Sequence, residues 1–267
     1  MQPPARVPPE PFELSLPADW RAVDFISDLH LSAALPQTVE VWGEHLRGTD
    51  ADAVFMLGDL FEAWVGDDML SLPFERKCAE LLCEASARLQ LAFMAGNRDF
   101  LLGAAMDEAC NWMHLPDPTV IDAWGRRVLL THGDALCLDD TDYQAFRAES
   151  RTPAWQQAFL SGTLVERMRR VAQVRAQAHS RRSTQNFDPQ EWADVDTDAA
   201  LAWLQRAGAA DMVHGHTHRP GSHELAPGVT RHVLSDWDLD DHQRPRADLI
   251  RLTRDGFERR ALVPAAR

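Results

Sequence analysis

Val23-Asp24-Phe25-Ile26-Ser27-Asp28-Leu29-His30 is the stretch on which the fold turns. Residues 23–27 form a short apolar run that ends at Asp28, the pattern of a buried strand feeding a functional loop. The pattern recurs along the chain. Residues 53–57 end at Gly58-Asp59, 91–95 precede Gly96-Asn97, and 127–131 precede His132. Residues 212–213 give a last, weaker instance ahead of His216 and His218. Between these runs, 37–46 and 74–89 read as helices, the second with apolar residues at helical spacing. Strand alternating with helix predicts an α/β layered fold with buried sheets. Ligands in such folds gather outside the carboxyl ends of the strands, and every motif here falls there.

Five motifs then follow one another: Asp28-Leu-His30, Gly58-Asp59, Gly96-Asn97-Arg98-Asp99, His132-Gly133-Asp134 and Gly215-His216-Thr217-His218. Together they offer the carboxylate, carboxamide and imidazole ligands that two adjacent divalent metal ions need, and two-metal sites hydrolyse phosphate esters and anhydrides. Asp28 and His30 are expected on one face of an extended segment, because side chains two apart point the same way. Asp59 is the natural bridge, since one carboxylate can give an oxygen to each ion. Asn97 adds a neutral oxygen, and His132, His216 and His218 add imidazole nitrogens. The mixed set favours Mn2+, Fe2+, Co2+ or Zn2+ over a site built for Mg2+ alone, with Mn2+ the expected ion. Asp99 and Asp134 are read as loop-holding or ligand-orienting partners. His45, His114, His179, His223 and His242 read as surface or core histidines, and His214 as still within its strand.

The 267 residues fit one domain with a sizeable insertion, and 45% hydrophobic content supports a full core. A net charge of −14 argues against a sequence-independent nucleic-acid binder. It does not exclude a small anionic substrate, because metal ions dominate the local charge in such a site. Cys78, Cys83, Cys110 and Cys137 show no paired spacing and read as reduced thiols. No signal peptide or membrane-crossing stretch is visible. Residues 1–20 read as an extended, proline-rich segment and 21–260 as the domain.

The stretch 140–206 differs from the rest. It has no strand signal and reads as helices broken near Ser161-Gly162 and again across 186–189. Trp155, Phe159, Leu164, Met168 and Val171 recur as one apolar helical face would. Arg147, Arg151, Arg167, Arg169, Arg170, Arg175, Arg181 and Arg182 crowd the same region. A basic amphipathic insertion in an acidic protein is read as a lid over the site. Residues near 232–234 and 249–252 look like closing strands.

The motifs resemble those of the calcineurin-like metallophosphoesterases: DxH, GD, GNH(D/E), a histidine near a glycine, and GHxH. The resemblance implies a four-layer αββα sandwich with a helical lid insertion. It also implies one metal on Asp28, His30, Asp59 and His218, and the other on Asp59, Asn97, His132 and His216. Where the superfamily usually has histidine after the asparagine, this chain has Arg98. A histidine there is taken to protonate an alkoxide leaving group. Arginine is a poor proton donor but stabilises phosphoryl oxygens. That favours a leaving group needing little protonation, such as another phosphate.

Longer stretches, among them Leu57-Gly58-Asp59-Leu60-Phe61-Glu62-Ala63-Trp64, Gly96-Asn97-Arg98-Asp99-Phe100-Leu101-Leu102-Gly103 and Asp139-Asp140-Thr141-Asp142-Tyr143, are similar to the UDP-2,3-diacylglucosamine diphosphatases of lipid A biosynthesis. The similarity implies attack of an activated water on the α-phosphate, giving UMP and 2,3-diacylglucosamine 1-phosphate. Asp59, Asn97, Arg98 and His132 would serve the chemistry, while Asn97, Arg98, Asp140 and His216 would contact substrate. The family's lid contacts do not align cleanly: an ungapped register offers Ala178, Arg182 and Gln185, whereas a small gap recruits Ser180 and Thr184. Ser235 stands where the family tends to have glycine. The partners implied are a UDP-linked diacylated glucosamine lipid and the cytoplasmic face of the inner membrane, touched peripherally. The competing readings are another metallophosphoesterase, such as a dinucleoside polyphosphate hydrolase, and a scaffold that has lost its metals. The seven filled ligand positions argue against the scaffold.

Overall fold

A computed structural model describes residues 7–184 and 194–262, with side chains of 177–184 excepted. In chain order its elements are β1 (Phe12–Ser15), β2 (Ala22–Ile26), α1 (Pro36–Gly48), β3 (Ala53–Leu57), α2 (Pro73–Ser86), β4 (Gln90–Met94), α3 (Ala104–Cys110), β5 (Met113–Leu115), β6 (Thr119–Ala123) and β7 (Arg126–Leu130). There follow α4 (Thr141–Ser150), α5 (Pro153–Leu160), α6 (Leu164–Thr184), α7 (Thr197–Ala207), β8 (Asp211–His214), β9 (Gly221–Ala226), β10 (Val229–Val233), β11 (Asp248–Thr253) and β12 (Gly256–Ala261).

Two mixed sheets of six strands result among the described residues, in the orders β1-β6-β7-β8-β10-β9 and β12-β11-β2-β3-β4-β5. Alternation along each strand decides what each sheet face meets. Val23 and Phe25 of β2 and Phe55 and Leu57 of β3 point inward, against Ile121, Val128, Leu130 and Val213 of the other sheet. Ile26, Val54 and Met56 point the other way, onto Trp42 and Leu46 of α1 and Leu82 of α2. On the far side Val120, Leu129 and Met212 meet Ala200, Leu204 and Ala207 of α7. Helix, sheet, sheet and helix are therefore stacked in that order. Because both faces of the central strands are covered, these strands read as continuous apolar runs.

Asp24 is the polar interruption in β2, and it is fully buried. It takes two bonds from Arg251, at 2.6 and 2.9 Å, and one from Thr49 Oγ1 at 2.7 Å. A buried charge is tolerated when paired in this way.

Strand 53–57 forms as expected. The runs expected at 23–27, 91–95 and 127–131 each form one residue earlier, as β2, β4 and β7. The chain leaves the sheet there to turn toward the site. Residues 211–214 form β8, with His214 in the strand as expected.

Helices α4, α5 and α6 stand outside the sandwich, and the break near Ser161-Gly162 separates α5 from α6. The break expected across 186–189 lies outside the described residues. Trp155, Phe159, Leu164 and Val171 pack on the core beneath, but Met168 departs from that face and is 43% exposed. Several of the arginines turn inward. Arg167 is buried and donates to Val65 O at 2.6 Å while pairing with Asp68. Arg147 reaches Asp134, Arg151 reaches the carbonyl of Gly96, and Arg175 reaches Glu62. An acidic body draws the basic insertion down onto itself.

Candidate metal centre

The loops after β2, β3, β4, β7 and β8 carry the seven expected ligands. Cross-loop backbone bonds hold them in place: Asp28 N to Gly58 O (3.0 Å), His30 N to Asp59 O (3.0 Å) and Gly215 N to His132 O (3.1 Å). The segment from Asp28 to His30 is not extended as expected. Asp28 and His30 lie at φ 54° and 49°, and Asp59, His216 and His218 share the left-handed region at 54°, 66° and 52°. Non-glycine residues rarely sit there, and such outliers cluster at functional sites. The left-handed turn, not a shared strand face, brings Asp28 and His30 together. Two glycines make room. A Cβ on Gly96 would overlap the Asp59 carboxylate, and one on Gly215 would overlap the carboxylate of Asp28.

Two groups of donor atoms face each other. In one, His218 Nε2 lies 3.4 Å from Asp28 Oδ1 and 3.3 Å from His30 Nε2. In the other, Asn97 Oδ1 lies 3.1 Å from His132 Nε2 and 2.8 Å from His216 Nδ1. Asp59 stands between them, with Oδ1 3.7 Å from His132 Nε2. Donor atoms of Asp28, Asp59 and His132 all fall within 4.8 Å of one another.

The electrostatics ask for cations. Burial, with the charges of Asp99 and Asp28 adding to it, pushes the Asp59 carboxyl up to about 7 against His132 and Arg98. Burial pulls His132 down, yet Asp59, Asp28 and Asp134 outweigh it and raise it to about 9. Burial and the neighbouring His132 drop His216 to about 3. Asp28 is held below the usual carboxylate range: burial opposes this, but His218, 3.4 Å away, and the surrounding imidazoles prevail. Asp28 Oδ1 and His30 Nδ1 are buried without a hydrogen-bond partner. His132 Nδ1 meets Leu57 O at 2.9 Å, which leaves Nε2 for the cluster. Buried carboxylates that repel each other, an orphaned acceptor and an imidazole with one nitrogen engaged behind fit a pair of divalent ions.

Arg98 flanks this cluster, with Nε 3.5 Å from Asp59 Oδ2 and Nη1 2.7 Å from Glu62. Asp99 holds the loops as expected, accepting from Gly96 N at 2.8 Å and Leu60 N at 2.7 Å. Asp134 is fully buried and is bonded by Tyr143 and by Arg147 Nε at 2.9 Å. Asp140 has a different partner: it caps α4 by accepting from Tyr143 N at 3.0 Å. The side chains of Ser180 and Thr184 lie outside the described residues. Glu62 and Tyr143 lie in stretches that carry the family resemblance, yet the sequence assigns no role to them or to Asp236, since tertiary contact brings all three to the site. Tyr143 stacks near His216, and Asp236 lies 3.6 Å from His218 Nδ1.

The calcineurin-like phosphoesterase family profile matches residues 22–220. A UDP-2,3-diacylglucosamine hydrolase of Xanthomonas campestris pv. campestris is 46% identical over 222 residues, covering 80% of this chain and 90% of that protein. The protein of the same name from Ralstonia nicotianae is 43% identical over 239 residues, covering 86% and 88%. Among solved structures, Vps29 of Entamoeba histolytica, in complex with Zn2+, aligns with TM-score 0.47 at 15% identity, covering 92% of this chain and 94% of that one. The phosphoesterase YfcE of E. coli aligns with TM-score 0.42 at 16% identity, covering 90% and 93%.

Proposed function

This chain belongs to the calcineurin-like phosphoesterase family and, within it, to the UDP-2,3-diacylglucosamine hydrolases, and on that premise we propose that it cleaves the pyrophosphate of UDP-2,3-diacylglucosamine in lipid A biosynthesis by attack of water on the α-phosphate. The products are UMP and 2,3-diacylglucosamine 1-phosphate. The observation that carries the reading is the position of Asp59, between two converging donor groups built from five separate loops.

Asp28, His30, Asp59 and His218 would hold one divalent ion, and Asp59, Asn97, His132 and His216 the other, with Mn2+ the ion to try first. Bound there, the pair supplies activation of the attacking water and neutralises charge on the phosphoryl oxygens. The chain's own residues do the rest. Arg98 presents a fixed charge beside Asp59, steadied by Glu62, where it binds phosphoryl oxygens as they gain charge. Arginine is a poor proton donor, which suits a sugar phosphate as leaving group. Asn97 and His216 contact the same phosphates. Asp140, Ser180 and Thr184 are proposed to contact the substrate as well.

The acyl chains are assigned to the insertion. Trp155 stacks on Phe159 at 4.9 Å and meets Phe100 and Phe146 at 6.1 and 6.0 Å, giving an aromatic wall beside the Gly-Asn-Arg-Asp-Phe loop. Replacing Trp155, Phe159 and Met168 with polar residues should harm turnover of the acylated substrate more than that of a soluble ester; equal losses would count against the groove. Exposed Val165 and Val174, with Arg169 and Arg170, support peripheral contact with an anionic bilayer. Co-sedimentation with anionic vesicles that survives serine at both valines would exclude that surface. No helix among the described residues is long and apolar enough to cross a membrane.

The deciding experiment assays the protein with UDP-2,3-diacylglucosamine beside dinucleoside polyphosphates, with and without Mn2+. Turnover of the first alone, dependent on the ion and nearly abolished by Asp59→Asn, is the expected result. A fully active Asp59→Asn enzyme overturns the role given to Asp59.

A further inference from the structure

The loop after β10 carries an acid that no motif announces. Leu234 N donates to His214 O at 2.8 Å, and Trp237 N donates to Asp28 O at 3.1 Å, so the loop is stitched to the end of β8 and to the loop after β2. Between these anchors Asp236 is buried. Its Oδ2 accepts from Arg246 Nε at 2.8 Å and Nη2 at 2.5 Å, and lies 3.6 Å from His218 Nδ1. Arg246 is itself fixed, since Asp238 and Arg246 exchange backbone bonds at 2.8 and 3.0 Å.

The ring of His218 thus has two distinct sides. Nε2 faces Asp28 and His30, the donors of one proposed ion, and Nδ1 faces a clamped carboxylate. A carboxylate behind a ligating imidazole fixes its tautomer and ring orientation and raises its basicity. Arg246 occupies Asp236 Oδ2, the oxygen nearest the ring, which leaves this acid as a support for the ring and not as a further ligand. His132, assigned to the other proposed ion, is backed instead by the neutral carbonyl of Leu57.

We propose that Asp236, clamped by Arg246, is a positioning residue that holds the His218 ring and thereby sets the affinity of the ion bound by Asp28, His30 and His218, leaving the other ion unaffected. This rests on the two-metal reading above. The test is titration of metal-free wild type, Asp236→Asn and Arg246→Gln with Mn2+, following free Mn2+ by electron paramagnetic resonance. Wild type should take up two ions. Asp236→Asn should keep one of them at wild-type affinity and bind the other about 10–100-fold more weakly, the range for loss of such a partner. Arg246→Gln should weaken the same ion by less. The retained ion reports an intact fold. Two ions at unchanged affinity in Asp236→Asn would overturn the inference while the two-metal reading stands. Loss of both ions would also overturn it, because the acid would then act through the fold. Wild type binding no ion would bring down the two-metal reading itself, and this inference with it.

Discussion

Gly96 shows how tightly single residues are specified at the centre. An alanine methyl there would occupy the space of the Asp59 carboxylate and backbone nitrogen. Gly96→Ala is therefore expected to displace Asp59 and cost at least about 100-fold in kcat, the scale of a 1 Å misplacement. Equilibrium dialysis should show weakened metal uptake by the same variant. Near-wild-type turnover would mean that Asp59 is not held where it is described. The seven residues that the loops bring together were legible in the sequence as candidate ligands, because carboxylates, imidazoles and an asparagine at strand ends have few other shared uses. Their backbone was not. Asp and His tolerate the left-handed region better than most residues, but nothing local demands it at Asp28, His30 or Asp59, where cross-loop hydrogen bonds hold the backbone. Glu62 and Asp236 were silent for the same reason: their partners are fixed only after folding.

At the level of elements, helical periodicity placed helices on both sides of Ser161-Gly162, but neither the break between α4 and α5 nor the direction of the arginines. Periodicity reports which face is apolar, and a guanidinium on a long stem can reach around that face. Arg167 is the clearest case, buried against Val65 O and Asp68 from the first turns of α6. Arg167→Met should leave the Val65 carbonyl without its donor and cost roughly 1–3 kcal/mol. The Asp68 contribution is small, because that carboxylate is half exposed. Urea unfolding would measure the loss, and hydrogen exchange should show faster opening confined to α5 and the N-terminal part of α6. Unchanged exchange in those helices would show that the insertion is held by its apolar face alone.

Across the whole molecule, the strands legible in advance are those sheathed on both faces, while β1, β9, β5 and β12 gave no apolar run. These four are the sheet edges, short or half exposed, and an edge needs no continuous hydrophobic stretch. β6, next to β1, was likewise unread, its apolar run being broken by Asp122. The two sheets converge on a centre of buried titratable groups, and this gives stability a pH dependence. In the metal-free protein Asp59 titrates at about 7 and His132 at about 9, against ordinary values of 3.8 and 6.5. The native state therefore holds protons that the unfolded chain releases, and these two groups lower stability as pH rises from about 4 to 9. Bound ions replace those protons, so their binding tightens over the same range. At 100-fold excess over Kd each ion adds about 2.7 kcal/mol, or roughly 5–10 °C in Tm for a domain of this size. Thermal unfolding with Mn2+ and with chelator should show a larger shift at pH 8.5 than at pH 6, and Asp59→Asn should flatten the difference. A shift that is equal at both pH values, or larger at pH 6, would show that Asp59 and His132 do not exchange protons for metal.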